Sequence, residues 1–425
     1  MSQPQNDPEA EPQRRSIFDV LGPGLVTGAA DDDPSGIGTY SQVGAQFGYG
    51  LAWTMFFGFP LLASIQAICA QIGATTGRGI AQNLRRHYPR GVLQAVVVLL
   101  LVANVINLGA DLGAMAASLH LLLPGPLLLY VSLFGLISVG LEVFVSYNRY
   151  VSVLKWTTLS LFAYVAVVFV AGVPLREAVR DTLVPTFIFD KDHTMALVAI
   201  FGTTISPYLF FWQAGQEVEE QHRRHVKPLY VSPRKAGPEL KRIRTDTLIG
   251  MAFSHMTALF IIVATAATLH AHGIDQVASA DQAAQALRPI AGDLAFALFA
   301  LGIIGTGLLA VPVLAGSAAY AVSETFGWTE GLDRRPREAK AFYGVIAAAT
   351  IAGVALNMLA IDPMKALYWA AVVNGLLAPP LMVITMLIAR NPKVMGHLVI
   401  SRRLAFGGWV STAVMTAVAV LFLAV

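Results

Sequence analysis

The 425-residue sequence contains few charged residues and a single cysteine. Asp, Glu, Lys and Arg make up 13% of the chain, whereas a soluble globular protein has about 25%. Apolar residues make up 56%, and the mean hydropathy is +0.62. These values exclude a water-soluble fold and predict an all-α integral membrane protein. Cys69 lies in an apolar run, so we expect a packed thiol and no intramolecular disulfide.

Apolar stretches of membrane-spanning length follow one another along the chain. A helix needs about 20 predominantly apolar residues to cross a bilayer. The sequence contains eleven such stretches, at 18–46, 51–76, 92–123, 126–147, 151–173, 193–216, 246–271, 291–324, 341–360, 364–389 and 404–425. We therefore predict eleven transmembrane helices. Residues 1–16 lack the apolar core of a signal peptide and predict a cytoplasmic N-terminal arm.

Basic residues are distributed unevenly between the connections. With the N-terminus in the cytoplasm, all but five of the 29 Lys and Arg fall on the cytoplasmic side, as the positive-inside rule requires. The five exceptions are Arg176, Arg180, Lys191, Arg288 and Lys365. We interpret the most basic connection, residues 221–244, as a solvated orienting cluster and not as a lipid or nucleic-acid site. The expected location is a bacterial inner membrane, with the C-terminus outside and no obligate protein partner.

Two of the predicted spans are interrupted near their middles. The first contains Asp33-Pro34-Ser35-Gly36, and the sixth contains Thr204-Ile205-Ser206-Pro207. Because the breaks are five helices apart, the second group of five enters the membrane with opposite orientation, as in the inverted repeats of transporters. A single proline would be explained equally well by a kinked helix, but paired breaks favour the repeat. We predict repeats at 17–173 and 174–389, followed by a linker and last helix at 390–425.

Three consecutive carboxylates, those of Asp31, Asp32 and Asp33, lie within the first span. On an insertion scale each costs roughly 2.5–3.5 kcal/mol at mid-helix, so the sequence predicts a compensating charge. No Lys or Arg occurs between residues 16 and 77, and a hard divalent cation bound by oxygen atoms is the simplest counter-charge. The alternative places these aspartates at the membrane surface as a helix cap.

Other polar groups lie within apolar segments. Asp111 either lines an aqueous path or makes a structural hydrogen bond, and Glu142 is interpreted as structural. Asn374 precedes Pro379-Pro380, which we interpret first as a kink and second as a feature lining the site. The acidic end of the sixth span, residues 213–220, is either a solvated helix terminus or an exit that concentrates cations.

At the two breaks the sequence resembles the NRAMP family of divalent metal transporters. The resemblance covers essentially all eleven spans, with Gly22-Pro23-Gly24 preceding Asp33-Pro34-Ser35-Gly36 where the family usually has Asp-Pro-Gly-Asn. It implies a LeuT-like fold, in which two inverted five-helix repeats bind the substrate between the unwound centres of helices one and six. An eleventh helix follows. The metal is then the transported substrate, and no cofactor is expected.

The resemblance also implies a set of metal ligands. The family's aspartate matches Asp33, its first-helix carbonyl falls on Ala30, and its asparagine falls on Gly36. Helix six reads Ala-Thr-Val-Met-Pro-His in the family and Thr203-Thr204-Ile205-Ser206-Pro207-Tyr208 here, so Ser206 replaces the metal-binding methionine. The implied ligands are Asp33, the carbonyls of Ala30 and Thr203, and Ser206, with Asp31, Asp32 and Asn374 in an outer shell.

These departures from the family pattern affect two predictions, which ion is transported and whether its transport is coupled to protons. Loss of methionine and asparagine predicts a harder ion, because carboxylate, carbonyl, hydroxyl and water suit magnesium or manganese. Tyr208 replaces the family's histidine, and Asn107 replaces the aspartate of Asp-Leu-Ala-Glu-Phe-Leu-Gly, which leaves Asp111 and the Asp31–Asp33 cluster as proton carriers. The chain thus resembles the NRAMP-related magnesium transporters. We predict import by alternating access, favouring Mg²⁺ with Mn²⁺ possible, without proton coupling.

Three other functions are compatible with parts of the sequence. The first is a proton-coupled NRAMP-type symporter of Mn²⁺ or Fe²⁺. The second is a sodium-coupled amino-acid transporter, against which the aspartates argue because they repel a substrate carboxylate. The third is an intramembrane aspartyl hydrolase with Asp33 and Asp111 as its dyad, which leaves the paired breaks unexplained. The sequence therefore predicts a transporter and not an enzyme.

Overall fold

The computed structural model describes residues 22–145, 162–188, 190–277, 280–288, 292–359 and 361–424. Within these ranges the regular secondary structure is helical. The α-helices, numbered in chain order, are α1 Pro23–Asp31, α2 Pro34–Phe47, α3 Trp53–Thr76, α4 Ile80–His87, α5 Arg90–Leu122, α6 Leu127–Phe144, α7 Phe162–Val170, α8 Leu175–Leu183, α9 Lys191–Thr204, α10 Pro207–Arg223, α11 Ala236–Thr268, α12 Ala280–Gln285, α13 Ala295–Phe326, α14 Lys340–Leu356, α15 Pro363–Ala389, α16 Pro392–Met395 and α17 Arg402–Ala424. Short 3₁₀ turns occur at Pro233–Lys235, His270–His272, Gly292–Leu294 and Asn357–Leu359.

The outer surface of the helices is apolar. Nine stretches in the described part of the chain are long and apolar enough to cross a membrane. Large apolar side chains face outward from them, and Leu136, Ile351 and Leu423 are 72%, 68% and 74% exposed. Helices satisfy their own backbone hydrogen bonds, which the hydrocarbon core requires. The chain is therefore a multi-pass membrane protein.

The predicted spans agree with these helices, with two qualifications. The first span is not among the nine stretches because it is divided into α1 and α2, each shorter than 18 residues. The fifth predicted span, 151–173, overlaps α7, and its residues 151–161 lie outside the described residues, as does the arm 1–16. The count of eleven and the repeat boundaries therefore stay predictions. The tenth span is one helix, α15, which continues through Pro379 and Pro380.

Two helices extend into the basic connection at 221–244, which the sequence analysis interpreted as solvated. Helix α10 continues to Arg223, and α11 begins at Ala236 instead of near residue 246. Arg242 lies on α11 with its side chain only 10% exposed, and its guanidinium lies 2.9 Å from Glu217 of α10. The solvated interpretation was wrong for this part, because ion pairs between the helices neutralise charges that the apolar pattern had placed in a loop.

Both predicted breaks are present. Asp32 and Asp33 separate α1 from α2, and Ile205 and Ser206 separate α9 from α10. The second half of each broken helix begins with a proline, which lacks an N–H group and favours the first helical turn. The side chain of Asp33 caps α2 by accepting the backbone N–H of Gly36.

Glycine residues allow the two broken helices to pack closely against neighbouring helices. Gly28 of α1 lies against Gly250 of α11, and Gly202 of α9 lies against Gly375 of α15, with no room for a Cβ atom at either contact. Small residues let membrane helices approach closely where a larger side chain would separate them. The two breaks therefore lie inside the molecule, shielded from lipid by α11 and α15.

Candidate metal site

Asp33 lies where the two broken helices meet, and it is 1% exposed. Its Oδ1 accepts hydrogen bonds from Ser35 Oγ at 2.6 Å and from the Gly36 N–H at 2.7 Å. Its Oδ2 accepts from Asn107 Nδ2 at 3.0 Å and from the Tyr208 hydroxyl at 3.3 Å. Four donors from three helices therefore fix the orientation of this carboxylate.

The groups behind Asp33 form a second layer of hydrogen bonds. Asn374 of α15 donates its Nδ2 to Asn107 Oδ1 at 3.3 Å, so the amino group of Asn107 faces Asp33. The hydroxyl of Tyr208 also lies 3.1 Å from the carbonyl oxygen of Ala30. Ala30, Asn107, Tyr208 and Asn374, all named from the sequence, thus lie together around Asp33. Partners that orient a metal-binding carboxylate contribute to affinity even where they do not touch the ion.

The two helix-six residues implied as ligands have different surroundings. Ser206 Oγ lies 2.8 Å from the carbonyl oxygens of both Gly202 and Thr203, to which it donates. In this conformation the Ser206 hydroxyl therefore hydrogen-bonds to carbonyl oxygens at the end of α9, one of which is the Thr203 carbonyl implied as a ligand. The Thr203 hydroxyl lies across the junction, 3.3 Å from Ser35 Oγ. The resemblance to the family implied the carbonyl oxygen of Thr203 as a ligand. The hydroxyl groups of Thr203 and Ser35 were not predicted as ligands.

Gly36 lies three residues after Asp33 and has no side chain to fill the position beside it. A Cβ atom at this position would lie 3.2 Å from Tyr40 Cε2 and 3.4 Å from both the Asp31 carbonyl oxygen and Thr203 Oγ1. The ring of Tyr40 thus crowds the direction in which a longer side chain would project, which explains why the family's asparagine is not accommodated here. Two oxygen atoms border the space that Gly36 leaves.

We expect the variant Gly36→Ala to fold and to transport poorly. The added methyl group fits against Tyr40 with a shift of a few tenths of an ångström, but it occupies space in front of two oxygen atoms. Loss of one water or oxygen contact worth 1.4 kcal/mol lowers apparent metal affinity about tenfold. Uptake measured against metal concentration tests this. The control is Gly344→Ala on α14, where no heavy atom lies within 4 Å of the added Cβ; equal affinities in the two variants would contradict the expectation.

The other aspartates do not converge with Asp33 on one point. Asp31 Oδ2 accepts from Ser254 Oγ of α11 at 2.5 Å. Asp32 and Asp111 are also buried, and neither carboxylate is among the groups hydrogen-bonded to Asp33. Nor do the described residues contain a group of three or more His, Cys, Asp or Glu arranged to hold a metal. A cation at the junction would therefore depend on Asp33 together with hydroxyl, carbonyl and water oxygens.

A network of polar contacts holds α1 on the side predicted to be cytoplasmic. The carboxylate of Asp246 on α11 accepts three backbone N–H groups at the start of α1, those of Gly22, Gly24 and Leu25, at 2.9, 2.7 and 3.1 Å. An anion at a helix N-terminus satisfies donors that have no partner within the helix and complements the helix dipole. We refer to Asp246, Arg242, Glu217, Gln213 and Thr27 as the inner network.

The inner network also joins α1 to α10. Thr27 Oγ1 donates to Gln213 Oε1 at 2.5 Å. Arg242 lies 2.9 Å from both Glu217 and Glu239, and Glu217 is 1% exposed. The prediction of a solvated helix terminus at this end of the sixth span was wrong for Glu217, because Arg242 of α11 covers this carboxylate and pairs with it.

An acidic cavity of about 350 Å³ lies at the end of α10. Its carboxylates are those of Glu219, Glu324, Glu330, Asp333 and Glu338. Glu219 accepts hydrogen bonds from the Tyr320 hydroxyl and the Leu332 N–H. Burial, with the carboxylates of Glu324 and Glu219 nearby, raises the pKa of Glu330 above its ordinary value. That the acidic end of the sixth span forms an exit that concentrates cations stays a prediction, and Glu219 is the acidic residue of 213–220 that lines this cavity.

Two broken helices that meet at a buried carboxylate inside a multi-pass membrane protein define a secondary transporter. The fold and the site therefore describe a transporter and not an enzyme. The family described as Natural resistance-associated macrophage protein-like, or Nramp, matches residues 24–425. The chain belongs to the Nramp family, as the sequence predicted, and the metal of that family is transported substrate and not cofactor.

Curated relatives match most of the chain at low identity. The divalent metal cation transporter MntH of Klebsiella pneumoniae (strain 342) is 24% identical over 413 residues, covering 94% of this chain and 92% of the relative. The protein of the same name from Verminephrobacter eiseniae is 26% identical over 365 residues, covering 83% of this chain and 81% of the relative.

Solved structures support the predicted fold class. A manganese transporter from Eremococcus coleocola aligns with a TM-score of 0.76 at 17% identity, covering 96% of this chain and 87% of that one. Mhp1, a nucleobase-cation-symport-1 family transporter, aligns with a TM-score of 0.59 at 14% identity, covering 95% and 90%. At these identities the likeness concerns the fold alone, and the LeuT-like fold is confirmed.

Proposed function

We propose that this chain carries divalent metal cations across the membrane by alternating access, with Mn²⁺ as its principal substrate. The observation that carries the proposal is Asp33, a buried carboxylate at the junction of two broken helices with oxygen groups around it. Such a carboxylate requires a counter-charge, and a cation supplies it. Opening towards the cytoplasm requires α1 to separate from the inner network.

The names of the relatives favour manganese over the magnesium that the sequence predicted. The relatives are called divalent metal cation transporters, and the structural neighbour is a manganese transporter. Loss of the family's methionine does not argue against Mn²⁺, because carboxylate, carbonyl and water ligands suit manganese as well as magnesium. Mg²⁺ is the second candidate, since the side chains hydrogen-bonded to Asp33 provide oxygen and nitrogen and no sulfur, and magnesium is bound by oxygen ligands.

We also propose the orientation and the repeat boundaries given by the sequence. The N-terminus lies in the cytoplasm, and the repeats comprise residues 17–173 and 174–389, with the linker and last helix at 390–425. Support comes from the basic residues at the junction of α10 and α11, where Arg223, Arg224 and Arg242 are linked through Glu220 and Glu239, because clusters of basic residues favour the cytoplasmic side.

We expect purified protein in liposomes to take up Mn²⁺ when a potassium-diffusion potential makes the interior negative. Two charges gain roughly 4.6 kcal/mol per 100 mV, enough for large accumulation. Uptake of Mn²⁺ and of Mg²⁺ is measured in parallel with internal pH. Acidification with Mn²⁺ uptake would support the proton-coupled symport that the sequence offered as its alternative; constant pH would support an uncoupled transporter. Uptake of neither ion above that of empty vesicles would overturn the proposal.

A further inference from the structure

Two hydroxyl groups face each other across the junction of the broken helices. Ser35 lies on the second half of helix one and Thr203 at the end of the first half of helix six. Both side chains are buried, and their oxygen atoms lie 3.3 Å apart. Ser35 Oγ also lies 2.6 Å from Asp33 Oδ1. A chain of three oxygen-bearing side chains therefore runs from helix six to the carboxylate.

The direction of the hydrogen bonds in this chain follows from the chemistry of its last member. An ionised carboxylate only accepts, so the proton of Ser35 points at Asp33. Thr203 must then donate to Ser35. Each hydroxyl oxygen retains a lone pair that no hydrogen bond of this chain uses. Hydrogen bonds in series polarise one another, so these lone pairs are better donors to a cation than those of an isolated hydroxyl.

No side chain projects between these oxygens because residue 36 is glycine. The position of an absent Cβ at Gly36 lies 3.4 Å from Thr203 Oγ1 and 3.4 Å from the carbonyl oxygen of Asp31. Helix one is unwound at Asp32, so the Asp31 carbonyl is at the end of α1 where helical carbonyls lack partners. The Thr203 hydroxyl and the Asp31 carbonyl thus border one space beside Asp33.

Neither hydroxyl is part of the family pattern described above. Ser35 stands where Asp-Pro-Gly-Asn has glycine, and Thr203 stands where Ala-Thr-Val-Met-Pro-His has alanine. The same two segments lose the asparagine side chain at Gly36 and the methionine side chain at Ser206. The chain therefore has two additional hydroxyl groups in the segments where it lacks two side-chain ligands.

We propose that Ser35 Oγ and Thr203 Oγ1 are ligands of the transported ion, together with Asp33 and the carbonyl oxygen of Asp31, and that they set the preference for hard divalent cations. This inference rests on the proposed function, because it names ligands of the same site. Hydroxyl, carboxylate and carbonyl oxygens select ions such as Mn²⁺ and Mg²⁺ over ions that favour sulfur.

The test replaces each hydroxyl by a thiol and measures competition between ions. Ser35→Cys and Thr203→Cys place sulfur, a soft donor, where oxygen stood. We expect Cd²⁺ to inhibit Mn²⁺ uptake by these variants at concentrations at least about tenfold lower than those needed for the unaltered protein. Tenfold is the lower end of the change in metal affinity when residues around a bound metal are replaced. Ser138→Cys is the control, because Ser138 is a buried serine on α6, outside the site. The native Cys69 is buried and is present in every variant.

A second pair of variants separates a ligand from a hydroxyl that only stabilises the junction. Thr203→Ser keeps the oxygen, and Thr203→Val keeps the shape without it. A ligand role predicts that Thr203→Ser retains the ion preference, whereas Thr203→Val loses affinity for Mn²⁺ at unchanged thermal stability. A structural role predicts lower stability of Thr203→Val and the same Cd²⁺ sensitivity in both cysteine variants.

The two proposals fail in different ways. If the unaltered protein takes up Mn²⁺ but the cysteine variants show unchanged Cd²⁺ sensitivity, the hydroxyl ligands are refuted and the transport function stands. If the unaltered protein takes up neither Mn²⁺ nor Mg²⁺, the proposed function itself is refuted. Size-exclusion chromatography of each variant confirms that the protein remains folded before uptake is compared.

Discussion

Replacement of Asp33 by asparagine should reduce metal uptake by at least about 100-fold, since even outer-shell partners of a metal contribute 10–100-fold to affinity. Asp33 is the only charged ligand in the proposed set, and its carboxylate receives four hydrogen bonds. An asparagine has nearly the same shape, but its amino group would face a donor from Ser35, Asn107 or Tyr208. The variant Asp33→Asn therefore loses the charge and the hydrogen bonds to one of its two oxygen atoms, while its remaining oxygen can still cap α2.

We expect the variant Asp33→Asn to fold, so that a loss of metal uptake reports on the site and not on unfolding. A buried carboxylate without a counter-ion is costly, and a neutral amide removes that cost. We expect the thermal stability of Asp33→Asn in detergent to equal or exceed that of the unaltered protein. Asp362→Asn provides the control, because Asp362 is a partly exposed N-cap of α15 outside the site and asparagine caps equally well. Normal Mn²⁺ uptake by Asp33→Asn would show that the ion does not use this site.

The sequence contains the information for the positions of the breaks. Proline at residues 34 and 207 removes a backbone donor within an apolar stretch, and Asp33 provides the cap that the second half-helix needs. These are local properties, and a sequence pattern reports them directly. The extension of α11 to Ala236 was missed because it depends on a long-range ion pair between Arg242 and Glu217, which no local pattern contains.

The candidate site was predicted only in part, for a similar reason. The Asp31–Asp33 cluster was identified because a carboxylate in an apolar span is costly wherever it points, and the resemblance to the family singled out Asp33 within it. The approach of Thr203 to Ser35 depends on how two distant helices rotate and pack, and a side chain on the unwound end of a helix can face either way. For Ser35 the sequence did contain an indication. Its hydroxyl lies two residues after Asp33, at a position where the Nramp pattern Asp-Pro-Gly-Asn has glycine.

The second large effect is expected at Asp246, whose carboxylate accepts three N–H groups from the start of α1. In Asp246→Ala the buried N–H of Gly24 and the partly buried N–H groups of Gly22 and Leu25 lose their acceptor while α1 is docked, and they reach water when α1 moves away. Each unsatisfied buried donor costs about 1–3 kcal/mol, and 1.4 kcal/mol is tenfold in an equilibrium. We therefore expect the inward-open population to rise by at least about tenfold, and uptake to fall because the outward-open state is depopulated.

Cysteine labelling measures this shift independently of transport. Leu209 on α10 is fully buried, so a membrane-impermeant maleimide applied from the cytoplasmic side should label Leu209→Cys faster when Asp246→Ala is also present. Asp190→Ala is the matched control, because Asp190 caps α9 at the opposite end of the other broken helix. If Asp246→Ala lowers thermal stability without accelerating the labelling, the inner network holds the fold together but does not control access. Faster labelling with unchanged thermal stability would instead show that Asp246 keeps the cytoplasmic path closed. Separation of α1 from α11 would expose the N–H groups at the start of α1 together with the buried interior around Leu209.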